Sequence, residues 1–154
     1  IQHVLEAVEN PHNGLTFCAG SLSSGTHNNV ITLAKKYAHR THFVHLRSCH
    51  IFPNGNFTEA SHLGGRADLI ELCRIFEAAE QSGQPNSGHR LPMRVDHGMT
   101  FTDQPNGIMD ESSHGHNAGY TLLGRMFALG QIQGIIATVD RELGIPFHQP
   151  GFYD

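Results

Sequence analysis

A thiol, an imidazole and a carboxylate stand at comparable places in three separate β-rich runs of this sequence. Cys18 ends the run at residues 14–18, His45 lies near the end of 41–47, and Asp96 ends 91–96. Alternate residues of a strand point to opposite faces. On that period Val44 and Leu46 share one face, as do Leu91, Met93 and Val95, while Phe43, His45 and Arg47, and Arg94 with Asp96, occupy the other. If the strands lie side by side, three metal-competent side chains converge at one rim. Such a mixed donor set suits a borderline divalent ion such as Mn, Fe, Co or Zn, whereas Mg prefers oxygen alone. A strand cysteine taken singly is more often a small buried hydrophobe, so the expectation rests on the coincidence of all three.

Other chemistry-bearing groups stand beside them. Arg47 lies two residues beyond His45 on the same face. A guanidinium grips a carboxylate through two parallel hydrogen bonds, so Arg47 either binds an acidic substrate or pairs with a buried carboxylate of the protein. Arg94 sits lower on that face and reads as a structural pairing. His97 follows Asp96 at a glycine turn, a position from which an imidazole can serve as general acid or base near neutral pH. Tyr120, after Gly119 at a helix start, either donates a phenolic proton or anchors the helix. Of the 13 histidines, His3, His12, His27, His39, His89 and His148 read as solvated surface, and His114-Gly115-His116 lies in a glycine-rich loop not preorganised for a metal. Cys73 belongs to an apolar helical face and reads as core.

The elements that must position these groups follow from periodicity. Residues 28–39 carry Val30, Ile31, Leu33, Ala34, Tyr37 and Ala38 at helical spacing, and residues 66–81 put Leu69, Leu72, Cys73, Phe76 and Ala79 on one face. Residues 120–143 form a glycine-interrupted helix. Residues 50–56 and 97–119 read as loops. After a helix end at the start of the chain the order is β-α-β-α-β-α, which implies parallel βα units in an open doubly wound sheet or a barrel. A central strand of an open sheet is apolar on both faces, whereas a barrel strand packs one face under helices and turns the other toward the active-site mouth. The polar face of these strands favours the barrel. Three βα units cannot close an eight-stranded barrel of roughly 250 residues, so the 154 residues read as a piece of one domain.

Composition narrows the partners. The formal charge is −4 with no long run of like charges, which argues against nucleic acid. No stretch of 18 apolar residues occurs, and Glu6 and Glu9 near the start have no basic flank, so neither a membrane span nor a secretion signal is expected and the chain reads as cytoplasmic. Three cysteines, Cys18, Cys49 and Cys73, support neither a disulfide framework nor a paired-cysteine zinc module.

Five ordered motifs then resemble the C-terminal part of the mannonate dehydratase family. They are Gly14-Leu-Thr-Phe-Cys18-Ala-Gly-Ser21, Thr41-His-Phe-Val-His45-Leu-Arg47-Ser48, Asn56-Phe-Thr-Glu59-Ala-Ser-His62-Leu-Gly64, Pro92-Met-Arg-Val-Asp96-His97-Gly98 and Gly119-Tyr120-Thr-Leu-Leu-Gly-Arg125. The resemblance implies a xylose-isomerase-like (β/α)8 TIM barrel of which only the C-terminal βα units are present. It implies Cys18, His45 and Asp96 as ligands of Mn2+ or Fe2+, with a further histidine ligand on an upstream strand. It also implies proton chemistry at His97 and Tyr120, substrate binding at Arg47 and His62, and dehydration of D-mannonate to 2-keto-3-deoxy-D-gluconate in hexuronate catabolism. A sugar isomerase or epimerase on the same barrel, or a non-catalytic sugar-binding half-barrel, are the alternatives. Exposed edge strands would favour assembly into a homo-oligomer.

Overall fold

A computed structural model describes residues 1–84, 90–99 and 119–146. Along the chain run α1 (Gln2–Ala7), β1 (Leu15–Cys18), α2 (Ala19–Ser24), α3 (Val30–Tyr37), a 3-10 turn (Ala38–Arg40), β2 (Thr41–His45), β3 (Cys49–Ile51), β4 (Phe57–Glu59), α4 (Leu69–Gln81), β5 (Met93–Arg94) and α5 (Leu122–Leu143). The fold is mixed α/β. β1, β2 and β5 form a parallel sheet in that order, with Cys18 opposite His45 and His45 opposite Arg94. The C-terminal ends of the strands are therefore level, which brings the chemistry-bearing residues side by side.

Helices cover one face of the sheet. Phe17, Val44 and Leu46 point into a core completed by Leu69, Leu72 and Phe76 of α4 and by Ala128, Ile132 and Val139 of α5. Phe17 meets Phe76 edge-on with ring centroids 5.1 Å apart. Fully burying a Leu or Phe side chain contributes about 1.5–3 kcal/mol, so this seam dominates the docking of α4. Polar caps set the helix starts: Asp68 accepts from the Glu71 amide at 3.0 Å, Asn29 from Thr32 at 2.9 Å and Thr121 from Gly124 at 3.2 Å. These caps begin the three long helices two or more residues later than periodicity alone suggests.

Two features differ from the sequence expectation. The stretch expected as a loop at 50–56 belongs to an antiparallel hairpin, β3 with β4: His50 and Ile51 lie in β3, 52–56 make the turn, and Cys49 pairs with Glu59. The third strand shrinks from the expected 91–96 to Met93–Arg94. Pro92 offers no N–H to a neighbour, and Asp96 leaves the extended region with φ 55°. α5 also passes, by length and composition only, as a helix able to cross a membrane. A core helix meets the same criterion, and one face of α5 packs on α4, with Glu142 bonded to Arg74 at 2.7 Å.

Candidate functional site

The site begins where β1 ends. Cys18 is both the last residue of that strand and the N-cap of α2, so its sulfur accepts from the Ser21 amide at 3.4 Å and from Ser21 Oγ at 3.1 Å. His45 ends β2 beside it. Asp96, two residues past β5, turns Oδ2 toward both: 3.9 Å to Cys18 Sγ and 3.6 Å to His45 Nδ1. Its other oxygen is held by Arg94 Nη2 at 3.0 Å, the structural pairing expected of that arginine.

One donor atom from each of Cys18, His45 and Asp96 lies within 4.8 Å of the others. Metal–ligand bonds of about 2.0–2.3 Å set co-ligands roughly 3–4 Å apart, and the two gaps to Asp96 Oδ2, 3.9 Å and 3.6 Å, fall in that range. The imidazole–carboxylate gap is also too long for a hydrogen bond. Burial holds the His45 imidazole below its usual pKa; Asp96 opposes this, and Arg94, His97 and Arg47 add to it. A neutral imidazole is the ligating form. Soft sulfur, nitrogen and oxygen together fit a borderline divalent ion.

His97 and Tyr120 meet next to this cluster. Their ring centroids are 4.3 Å apart, and His97 Nε2 is 3.8 Å from Asp96 Oδ2. Gly119 makes the approach possible: it has φ 91°, and a Cβ there would lie about 3.0 Å from both Glu59 Cγ and His97 Cβ. Arg125 adds its guanidinium 5.6 Å from the Tyr120 ring centre.

The structure gives Arg47 and His62 more definite partners than spacing did. Arg47 is buried and spends its fork on Glu59, through Nε at 2.9 Å and Nη2 at 2.6 Å. Burial works to lower its pKa, but Glu59 and, after it, Cys18 together outweigh this and raise it. Of the two partners expected for Arg47, a protein carboxylate is the one it touches. His62 is 2% exposed, with Nε2 3.0 Å from the Val95 carbonyl, and burial lowers its pKa. Its contact is with the backbone just before Asp96.

Glu59 is the site residue that sequence reasoning missed. Its Oε1 lies 3.0 Å from His97 Nδ1 while both its oxygens accept from Arg47. The glutamate falls in the motif from Asn56 to Gly64, but the composition of 50–56 speaks only for a loop and not for the hairpin that carries it to Arg47. Among the surface histidines expected, His3, His12, His27 and His39 are exposed. His89, His114, His116 and His148 lie outside the described residues.

Comparison with known proteins adds an independent line. The family profile described as D-mannonate dehydratase (UxuA) matches residues 1–145. Mannonate dehydratase 2 of Agrobacterium fabrum is 37% identical over 145 residues, covering 93% of this chain and 34% of that protein. Mannonate dehydratase of Saccharophagus degradans is 36% identical over 141 residues, covering 89% and 34%. The crystal structure of mannonate dehydratase from Streptococcus suis serotype 2 aligns with a TM-score of 0.74 at 22% identity, over 96% of this chain and 38% of that one, a likeness of fold. The chain thus spans about a third of the length of the curated relatives it matches.

Proposed function

The chain belongs to the D-mannonate dehydratase family, and from that membership we propose that it carries most of the active site of an enzyme converting D-mannonate to 2-keto-3-deoxy-D-gluconate and water. The observation that carries this reading is the convergence of Cys18, His45 and Asp96 with His97 and Tyr120 at one end of the parallel sheet.

Cys18, His45 and Asp96 would hold Mn2+ or Fe2+, which when bound supplies positive charge against the negative charge that builds on the substrate carboxylate as C2 loses its proton. The rest falls to the chain's own side chains. One of His97 and Tyr120 takes the C2 proton, and the C–H electron pair forms the C2–C3 double bond. The other gives a proton to the C3 hydroxyl, which leaves as water, and the resulting enol becomes the 2-keto group. The tilted contact of the two rings keeps both within reach of one substrate. Arg47 and His62 serve the substrate through what they hold, Glu59 and the Val95 carbonyl.

We further infer that the sheet belongs to a (β/α)8 barrel as its C-terminal βα units. Helices cover only one face, among the described residues β1 and β5 each pair on one side only, and a hollow of about 580 Å³ along β5 is lined by Met93, Val95, Leu122, Met126 and Leu129. Further strands and helices of one barrel would bury the exposed Leu122, Met126 and Leu129. A metabolic enzyme of this kind fits a cytoplasmic homo-oligomer acting on a free sugar acid.

The test incubates the Mn2+-loaded protein with D-mannonate and identifies the product by NMR. A dehydrated keto acid whose formation stops on chelation, and in Cys18→Ala, is the expected result. An isomeric sugar acid would instead establish an isomerase, and an undiminished rate after exhaustive chelation would overturn the metal-dependent reading.

A further inference from the structure

We propose that Glu59 is a positioning residue that fixes the orientation and tautomer of His97, with Arg47 as its anchor. The proposal rests on the reading of His97 as a proton-transfer group. Three contacts carry it: Glu59 Oε1 to His97 Nδ1 at 3.0 Å, Glu59 Oε1 to Arg47 Nη2 at 2.6 Å, and Glu59 Oε2 to Arg47 Nε at 2.9 Å.

An ionised carboxylate only accepts hydrogen bonds. The ring hydrogen of neutral His97 therefore sits on Nδ1, and Nε2 keeps a bare lone pair on the side facing Asp96. Without Glu59 the imidazole is free to place its hydrogen on either nitrogen, and only one of those forms can accept a proton at Nε2.

The surroundings hold Glu59 as firmly as Glu59 holds the ring. Its backbone is paired to Cys49 across the hairpin, and the next amide, Ala60, donates to the Ser48 carbonyl at 3.1 Å. Its side chain is 8% exposed and that of Arg47 9%. On the far side, a Cβ at Gly119 would lie about 3.0 Å from both Glu59 Cγ and His97 Cβ, so the absence of a side chain there leaves the pair its room. Arg47, Glu59, His97 and Tyr120 thus form one continuous chain of contacts from just beyond β2, through the end of β4, to the residues between β5 and α5.

Glu59→Gln tests the assignment because it preserves size while replacing one acceptor oxygen with a donor. An amide cannot accept from both arms of Arg47 and from His97 Nδ1–H. The readout is the tautomer of His97, taken from its ring nitrogen shifts by 15N NMR in the chelated full-length protein, with a His97→Asn sample for assignment. The wild type is expected to carry hydrogen on Nδ1, and Glu59→Gln to move the population toward the Nε2–H form. Loaded with Mn2+, the variant is expected to lose about 10- to 100-fold in kcat at nearly unchanged KM, part of the roughly 10²- to 10⁴-fold that a positioned general acid or base contributes. Glu59→Asp is expected to restore the wild-type tautomer in part. An Nε2–H ring in the wild type, or an unchanged tautomer in a folded Glu59→Gln protein, overturns the proposal, and the wild-type measurement decides even if the variant fails to fold. If the tautomer shifts but the wild type does not dehydrate mannonate, the positioning role stands and the proposed activity falls.

Discussion

Asp96 and His97 are consecutive in sequence, yet His97 Nε2 lies 3.8 Å from Asp96 Oδ2 and both side chains face the same site. Neighbours in an extended strand point to opposite faces. The φ of 55° at Asp96 breaks the alternation. A residue with a Cβ pays about 1–2 kcal/mol for that left-handed conformation, and Asp and Asn are among the few that tolerate it. One backbone torsion therefore joins a candidate ligand to a candidate proton-transfer group.

Asp96→Asn separates the backbone role from the charge, because asparagine also accepts positive φ. The variant is expected to unfold within a few degrees of the wild type while binding Mn2+ more than about 100-fold more weakly, beyond the roughly 10- to 100-fold cost of losing an outer-shell partner. Titration calorimetry reads the affinity and thermal denaturation the fold. Unchanged Mn2+ affinity would remove Asp96 from the ligand set.

Side-chain period made the polar rim legible: Cys18 and His45 end their strands in register, and Val44 and Leu46 are buried behind them as alternation requires. The faces of α4 and α5 followed from the same logic. What stayed hidden depends on contacts between residues distant in sequence or on very short elements. α2 is five small or polar residues and one leucine, capped by the Cys18 sulfur, and carries too little apolar signal to register. β3 and β4 are three residues each around Pro53 and Gly55, so composition speaks for a turn and says nothing of the pairing that sends Glu59 back to Arg47. Spacing leaves Arg47 open to a substrate or a protein carboxylate, and it is the hairpin that brings Glu59 to it.

His62 is expected to matter for stability before anything else. It is 2% exposed and bonded to the Val95 carbonyl, so His62→Ala leaves a cavity and an unpaired buried carbonyl, costing about 2–4 kcal/mol. Urea denaturation checks this. A variant of wild-type stability whose KM for mannonate rises would instead make His62 a substrate contact.

Glu77 is expected to make the fold more stable in acid. It is buried on α4 with Asp140 of α5 nearby, and among the described residues Glu77 Oε2 and Asp140 Oδ1 have no hydrogen bond. Burial first, then Asp140 and Glu80, push its carboxyl up to about 7 from an ordinary value of 4.5, with Arg90 opposing. A folded pKa above the unfolded one means stability fully present below about pH 4.5 and lost as pH rises through about 7. At 1.36 kcal/mol per unit, the effect is at most about 3 kcal/mol. Unfolding free energies of metal-free wild type and Glu77→Gln, measured from pH 4.5 to 8, should diverge over that window, with the variant flatter. Parallel curves would show that Glu77 ionises alike in both states.

Cys18 sets the softness of the site, and Cys18→Asp is expected to change which ion the protein prefers. The wild-type donors are one sulfur, one nitrogen and one oxygen. Replacing thiolate with carboxylate leaves an oxygen-rich set, which favours Mn2+ and Mg2+ over Zn2+ and Co2+. The substitution also keeps an N-cap acceptor for the Ser21 amide, since aspartate caps helices well, so the local fold has no reason to change. Competition titrations of Zn2+ against Mn2+ in wild type and variant give the ratio of affinities directly, and that ratio should fall at least about tenfold in the variant, the scale on which even indirect partners tune a metal site. Equal ratios would mean that the Cys18 sulfur does not touch the ion, leaving it only the role of capping α2.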